Sequence, residues 1–441
     1  MNDINRILNK CVRSGAMMAE VYSVTQKSMT IRVRNGKVEA ISKSTPGGTA
    51  IRYYSAGRVA FAHTTDLSDN AIDKAIAKLS NLSKKTGQDP LATLAEPQAA
   101  ETDLELYAPS FAEIATESKI DYLTELEDLA LKYDPLIKQS NGMQYTETIS
   151  TISLVNTNNV NLSYDSTMYD IAINLASAND NEMFPGEQVF SARNFEDLPS
   201  PEKMIDNVAG RAIRLLGGTP VEPGEYEIIL APSVSGAILW GMSFAICGDS
   251  YLRGASFFAD KAGKKFADSK LSVYDDALMP RGYSSRPFDG EGTASKTNTI
   301  IENGVFKSAL YDLKTAAKAE KVPTGSAERE HYNDFPEIWP SNLYIAAGND
   351  RLDDVIASIK KGIVVEKSEG WGLNGITGQF SSGINGTLIR NGKRIKSVAN
   401  VTLAASNDEL FNGIDAICDD LTFNQHINMP SLMIKKMHVG A

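Results

Sequence analysis

Residues 228–249 read Ile228-Ile229-Leu230-Ala231-Pro232-Ser233-Val234-Ser235-Gly236-Ala237-Ile238-Leu239-Trp240-Gly241-Met242-Ser243-Phe244-Ala245-Ile246-Cys247-Gly248-Asp249. The opening run of apolar residues predicts a buried strand. Pro232, Ser233, Ser235 and Gly236 make a Ser/Gly turn able to cap a helix. From Ala237 onward the residues predict an almost wholly apolar helix, and a helix apolar on every side belongs in a core. The uncharged run is long enough to raise the question of a membrane span. Proline and the turn split it into two pieces, neither of which would cross alone.

Upstream, Thr219-Pro220-Val221-Glu222-Pro223-Gly224 is the best linker in the chain. It divides the sequence into an N-terminal domain, 1–218, and a C-terminal domain, 224–441. In the first, residues 4–12 and 70–83 carry apolar residues at helical spacing. Residues 19–25, 29–33, 38–42, 49–54 and 58–63 alternate as strands do, and 88–116 is a Pro-, Ala- and acid-rich loop or arm. A helix over 120–131 precedes strands at 144–154, 160–164 and 169–176. Ser200-Pro201 starts a helix that runs to Leu216. Asn-Gly pairs at Asn35-Gly36, Asn303-Gly304 and Asn391-Gly392 sit between apolar residues, the strongest local hairpin signal. The expected fold class is α+β. It joins an N-terminal domain of mixed helix and strand to a C-terminal domain dominated by antiparallel sheet.

The chain has 441 residues and a formal charge of -11. That balance argues against a surface that coats nucleic acid. Cys11, Cys247 and Cys418 are odd in number and far apart, which predicts reduced, buried thiols in helices. With no apolar leader segment, a cytoplasmic protein without a membrane span is expected.

Local motifs for chemistry are scarce. His63, His331, His426 and His438 have no ligand partner at a metal-binding spacing. Gly370-Trp371-Gly372-Leu373-Asn374-Gly375 imitates a dinucleotide fingerprint but leads into Ile376-Thr377-Gly378 rather than a helix. It reads as a loop where backbone approaches backbone or a peptide. Asp289-Gly290-Glu291 offers a carboxylate pair, although a solvated turn before the Asn303-Gly304 hairpin is the simpler reading. Ser381 has no base near it in sequence.

An ordered set of segments carries a family resemblance. Phe288-Asp289-Gly290-Glu291-Gly292-Thr293 leads to Ile301-Glu302-Asn303-Gly304-Val305, then to Tyr311-Asp312 and Pro323-Thr324-Gly325-Ser326. Gly375-Ile376-Thr377-Gly378-Gln379-Phe380-Ser381 and Met429-Pro430-Ser431-Leu432-Met433-Ile434 complete the set. Glu20-Val21-Tyr22 and Arg34-Asn35-Gly36-Lys37-Val38-Glu39 match near the N-terminus. The chain resembles the TldD/PmbA family, historically called modulators of DNA gyrase, and within it the PmbA, or TldE, branch. The resemblance implies a subunit of a cytoplasmic metallopeptidase assembly that cleaves unfolded peptides. In the TldD branch a His-Glu-x-x-x-His helix and a Cys bind zinc; the PmbA branch lacks that set and pairs with TldD.

Laid on this sequence, the metal helix falls at Leu239, Trp240, Gly241, Phe244 and Ala245, and none of these side chains binds zinc. The resemblance therefore implies no catalytic residue and no bound cofactor in this chain, with zinc only in a TldD-like partner. The implied partners are that subunit, a second copy when the chain is isolated, and an unfolded peptide; nucleic acid and membrane are not among them. Asp289, Glu291, Thr324, Gly325, Gly375, Thr377 and Gly378 are the candidate peptide-contact or chamber residues. Two readings compete with a non-catalytic subunit. One is a homodimeric binding or scaffold protein acting without a peptidase partner. The other is an independent hydrolase using Asp289, Glu291 or Ser381.

Overall fold

Alternating apolar residues and positive-φ turns organise both halves into antiparallel sheet. The structure, a computed structural model, describes residues 2–101 and 103–440. It is a mixed α and β fold with several sheets. In the first half one sheet runs Arg58–Thr64, Gly47–Ser55, Met18–Arg34, Ile137–Asn156, Asn161–Ala178, Met183–Ala192, and Lys37–Ser44 also pairs with Met18–Arg34. The helices cover it through the faces their spacing predicts. Ile7 and Cys11 of Asn2–Arg13 and Ile72 and Ile76 of Asp69–Ser83 pack with Val21, Ile51 and Tyr53. Leu123 and Leu126 of Thr116–Tyr133 pack with Ile31, Tyr145 and Ile171.

In the second half the strands Lys393–Ala405, Phe380–Arg390, Lys361–Leu373, Gly224–Leu230, Leu432–Gly440 and Ile414–Ile417 form a second sheet in that order. Lys393–Ala405 also pairs with Leu432–Gly440, which closes all but the last strand into a ring. A smaller sheet runs Val305–Phe306, Thr297–Glu302, Val273–Asp276, Leu343–Ile345, Ile427–Asn428. The apolar helix Ser235–Ile246 lies between the two sheets, where Ile238, Leu239, Met242 and Ile246 join residues of both in one core. Among the described residues no helix is long and apolar enough to cross a membrane.

Several expectations need correction. Residues 19–25 and 29–33 are one strand, Met18–Arg34, because the polar Gln26, Lys27 and Ser28 remain paired with 148–150 of the next strand. The pieces at 144–154, 160–164 and 169–176 are likewise two long strands, Ile137–Asn156 and Asn161–Ala178. Their length makes the first half as rich in strand as the second. The 200–216 helix starts as expected, with Ser200 Oγ accepting from the Lys203 amide, but passes through a π turn at Asp206–Gly210. Cys418 is buried and free as expected, yet it follows the strand Ile414–Ile417 instead of lying in a helix. All three Asn-Gly pairs adopt the left-handed turn in hairpins.

The helix Ser235–Ile246 does not begin on a Ser cap. Val234 occupies the cap position without a side-chain hydrogen bond, and Ser233 Oγ donates to the Glu366 carbonyl at 2.7 Å. The helix is instead fixed sideways. A Cβ on Gly241 would lie 2.0 Å from the Leu373 carbonyl oxygen, and one on Gly372 would lie 2.0 Å from the Ala237 carbonyl oxygen. Gly241→Ala is therefore expected to destabilise the chain by about 1–3 kcal/mol, the usual range for overpacking a core. Urea unfolding monitored by tryptophan fluorescence measures it, and an unchanged midpoint would refute the contact.

Candidate functional site

The close seating of the central helix decides which residues leave the core. Leu239, Gly241 and Ala245 face inward and are buried, Trp240 is half-buried, and Phe244 is 49 % exposed. Trp240 lines a cleft of about 840 Å³, and Phe244, one helical turn on, packs its ring against Trp240 beside it. Trp339 stands edge-on to both, at 5.2 Å from Trp240 and 5.0 Å from Phe244, and His426 lies 5.4 Å from Trp240. The opposite wall is the ribbon formed by Ala327–Glu328 and Glu337–Ile338 with its connecting loop. Burial lowers the His426 pKa, so its imidazole is neutral near pH 7. Its buried Nε2 has no hydrogen-bond partner.

The Asp289-Gly290-Glu291 segment is not a solvated turn. Asp289 is 2 % exposed and Glu291 5 %. Asp289 Oδ1 accepts from the Glu291 and Thr293 amides, and Oδ2 from the Ala327 amide. Desolvation first, and then the neighbouring Glu291, push its pKa up to about 7 against those donors. Glu291 accepts from the Leu313 amide at 2.9 Å and from Arg52 Nη1 at 2.9 Å. Arg52 also forks onto Glu20, and Glu20 Oε1 accepts from Arg329 Nη2 at 2.7 Å. Glu20 and Arg52 belong to strands of the first sheet, while Glu291 and Arg329 belong to the second half. Of the two carboxylates that sequence offered for acid–base work, Glu291 therefore stitches the two halves together, while Asp289 ties its own turn to Ala327. Sequence could not show the stitch, because Arg52 lies more than two hundred residues from Glu291.

The other candidates divide into two groups. Thr324 Oγ1 accepts from the Tyr311 amide and donates to the Tyr311 carbonyl, and Gly325 takes a positive φ where a Cβ would meet the Ala294 carbonyl oxygen at 2.6 Å. These two shape a loop crossing. Gly375 lies against the central helix, where a Cβ would be 2.7 Å from the Gly241 carbonyl oxygen, and Gly378 packs on Asn407. Thr377 is exposed beside them. The Gly-rich loop is thus a place where backbone meets helix backbone. Ser381 is exposed, and among the described residues no hydrogen bond ties its hydroxyl to a His, Asp or Glu. The sequence reading missed Trp339, Glu330 and Glu337; the density of acids and aromatics over 328–340 was the available signal.

Comparison with known proteins places this geometry in a family. The PmbA/TldA metallopeptidase C-terminal domain matches residues 223–441, its domain 1 matches 19–83, and its central domain matches 109–216. The chain belongs to the PmbA/TldD family. A metalloprotease PmbA homolog of Haemophilus influenzae is 25 % identical over 425 residues, covering 96 % of this chain and 92 % of that protein. The solved structure of TldE from Thermococcus kodakarensis superposes with a TM-score of 0.91 at 18 % identity, covering both chains fully. A Bacteroides thetaiotaomicron protein named for modulation of DNA gyrase superposes with a TM-score of 0.90 at 24 % identity over 100 % of this chain and 98 % of that one. At these identities the two structures show a shared fold.

A metallopeptidase family implies a metal, and the donor set here does not fit one. A hydrolytic zinc needs about three N, O or S ligands and a general base. Leu239, Gly241, Phe244 and Ala245 have no side-chain lone pair to give, and the Trp240 indole nitrogen only donates. Among the described residues no group of three or more His, Cys, Asp and Glu could hold a metal ion. His426, the one imidazole in the cleft, is ringed by aromatics.

The buried network carries its own test. Arg52→Met leaves Glu291 without its cation and Glu20 with only Arg329, so unfolding free energy should fall by about 3–5 kcal/mol. Chemical denaturation measures this; a loss below about 1 kcal/mol would show that the network is not holding the halves together.

Proposed function

We propose that this chain is a PmbA/TldE-like subunit of a TldD/PmbA-type metallopeptidase assembly in the cytoplasm. It takes part in proteolysis of unfolded peptides without binding the zinc. The carrying observation is the face of Ser235–Ile246. Within the matched metallopeptidase domain, the positions where the family resemblance puts the metal helix hold Leu239, Trp240, Gly241, Phe244 and Ala245. Without a ligand set or a base, hydrolysis would fall to a TldD-like partner. Three buried, free cysteines agree with a reducing compartment.

Exposed apolar residues beside the helix support a partner surface. Trp371, near the end of the strand Lys361–Leu373, is 81 % exposed, and Ile376, in the loop that follows and packs against Phe244 through Gly375, is 62 % exposed. Apolar residues gathered at one exposed place mark protein contacts. The isolated chain would use the same surface to pair with a second copy.

Elemental analysis of the purified chain should find no stoichiometric zinc. Cleavage of an unfolded peptide should appear only after a TldD-like chain is added, and chelator should abolish it. One tightly bound zinc per chain, together with peptidase activity of the chain alone, would overturn the proposal. Trp371→Ser should weaken self-association or partner association by about tenfold, as loss of an interface aromatic does. Sedimentation velocity reads that change, and thermal unfolding of the variant should remain within about 0.5 kcal/mol of the parent. Unaltered association would remove Trp371 from the interface.

A further inference from the structure

We propose that the cleft beside Trp240 binds the cationic side chain of a lysine or arginine in an extended polypeptide. Its walls are aromatic. Trp240 and Trp339 line it and meet edge-to-face at an interplanar angle of 80°, with Tyr283, Phe335 and His426 also in the lining. An edge-to-face contact occupies one face of one ring and leaves other ring faces open to a cation, which a ring face attracts.

The rim is acidic. Glu328, Glu330, Asp334 and Glu337 line the cleft, and no Lys or Arg does. Glu328 is paired with Arg286 from behind, and Asp334 accepts from the His331 amide. Glu330 and Glu337 are exposed, and their carboxylates make no hydrogen bond or ion pair among the described residues. In the ribbon, Glu328 and Glu337 stand directly opposite each other. Like charges at such a pair are unfavourable. Arg286 offsets one of them, and a cation arriving in the cleft would offset the other. His426 contributes a ring and no positive charge.

The cation can reach the cleft as part of a chain. A second cleft of about 390 Å³ shares Tyr283 and His426 with the first. It runs over Gln144, Thr146, Asp170 and Ser191 of the first sheet, a polar floor suited to peptide backbone. The two clefts meet at Tyr283 and His426, so a chain whose cation sits in the first would continue over the second. In naming a polypeptide as bearer of the cation, the inference rests on the peptide-handling role proposed above; the preference for positive charge does not.

Isothermal titration of the full chain with acetyl-Ala-Ala-Lys-Ala-Ala-amide tests it. Norleucine and glutamate versions of the peptide and butylamine serve as comparisons, with tryptophan fluorescence as a second readout. The lysine peptide should bind about tenfold tighter than the norleucine peptide, consistent with a desolvated cation over aromatic faces. Its affinity should fall with added salt. The surface variant Glu330→Gln/Glu337→Gln should lose most of that preference while its circular dichroism and melting stay unchanged. Trp339→Leu should lose it too, and the first variant keeps the test valid if the second misfolds. Equal binding of lysine and norleucine peptides, no binding, or full preference in the folded double variant would overturn the inference. Butylamine binding as tightly as the lysine peptide would overturn the polypeptide part. Assembly with a zinc-bearing partner but no lysine preference would sink this inference alone. A lysine preference in a chain that itself proves to be a zinc peptidase would sink only the role proposed above.

Discussion

The contact between Gly241 and the Leu373 carbonyl sets the position of everything around the cleft. Backbone is pressed against backbone there, and Gly372 repeats the arrangement in reverse against Ala237. No side chain larger than hydrogen fits at either point. The helix Ser235–Ile246 is therefore locked in rotation as well as position, although it has no side-chain cap and no charged residue to orient it. Rotation is what matters for the site. It commits Leu239 and Ala245 to the core and turns Trp240 and Phe244 outward, so a helix apolar on every side still has a distinct outer face.

A second constraint joins the halves. Glu20, Arg52, Glu291 and Arg329 form a chain of buried charges in which every member has an opposite partner. Such a cluster is weak evidence of net stability, since desolvation offsets much of the attraction. Its geometry is nonetheless demanding. Removing one member leaves a charge stranded in the interior, so the first sheet is held to the Asp289 segment in one arrangement. The groove over Gln144 and Thr146 exists between surfaces that this network keeps in register.

These two devices fix the helix and the cleft with groups of the chain itself. In a zinc site the ion itself would draw several elements together. Here the helix Ser235–Ile246 is held by packing and by hydrogen bonds at its C-terminal end, where the Ile246 carbonyl accepts from the Leu310 amide and the Ala245 carbonyl from Ser256 Oγ. Trp240 and Phe244 on its outer face pack against Trp339. The acids that remain nearby sit on the ribbon rim, too spread to gather around one cation in a coordination shell and well placed to surround an organic one.

How far sequence reaches can be judged residue by residue. The hairpins at Asn35-Gly36, Asn303-Gly304 and Asn391-Gly392 were legible because positive φ at two successive positions demands those residue types. The strand and apolar helix of 224–246 were legible from hydrophobic continuity, and the family from the order of its short motifs. Strand lengths were not: Gln26, Lys27 and Ser28 look like a break until the neighbouring strand supplies their hydrogen bonds. Glu291 looked like a solvent-facing acid because its cation, Arg52, lies far away along the chain, and Asp289 because the Ala327 amide that it holds comes from the strand Ala327–Glu328. By itself, then, the sequence determined the local elements, the family, and the absence of ligand side chains at five helix positions. Only the tertiary structure decided which of those positions face a cleft, which acids are buried, and which aromatics meet. Each of these depends on groups distant in sequence brought within a few ångströms, and no local pattern encodes that proximity.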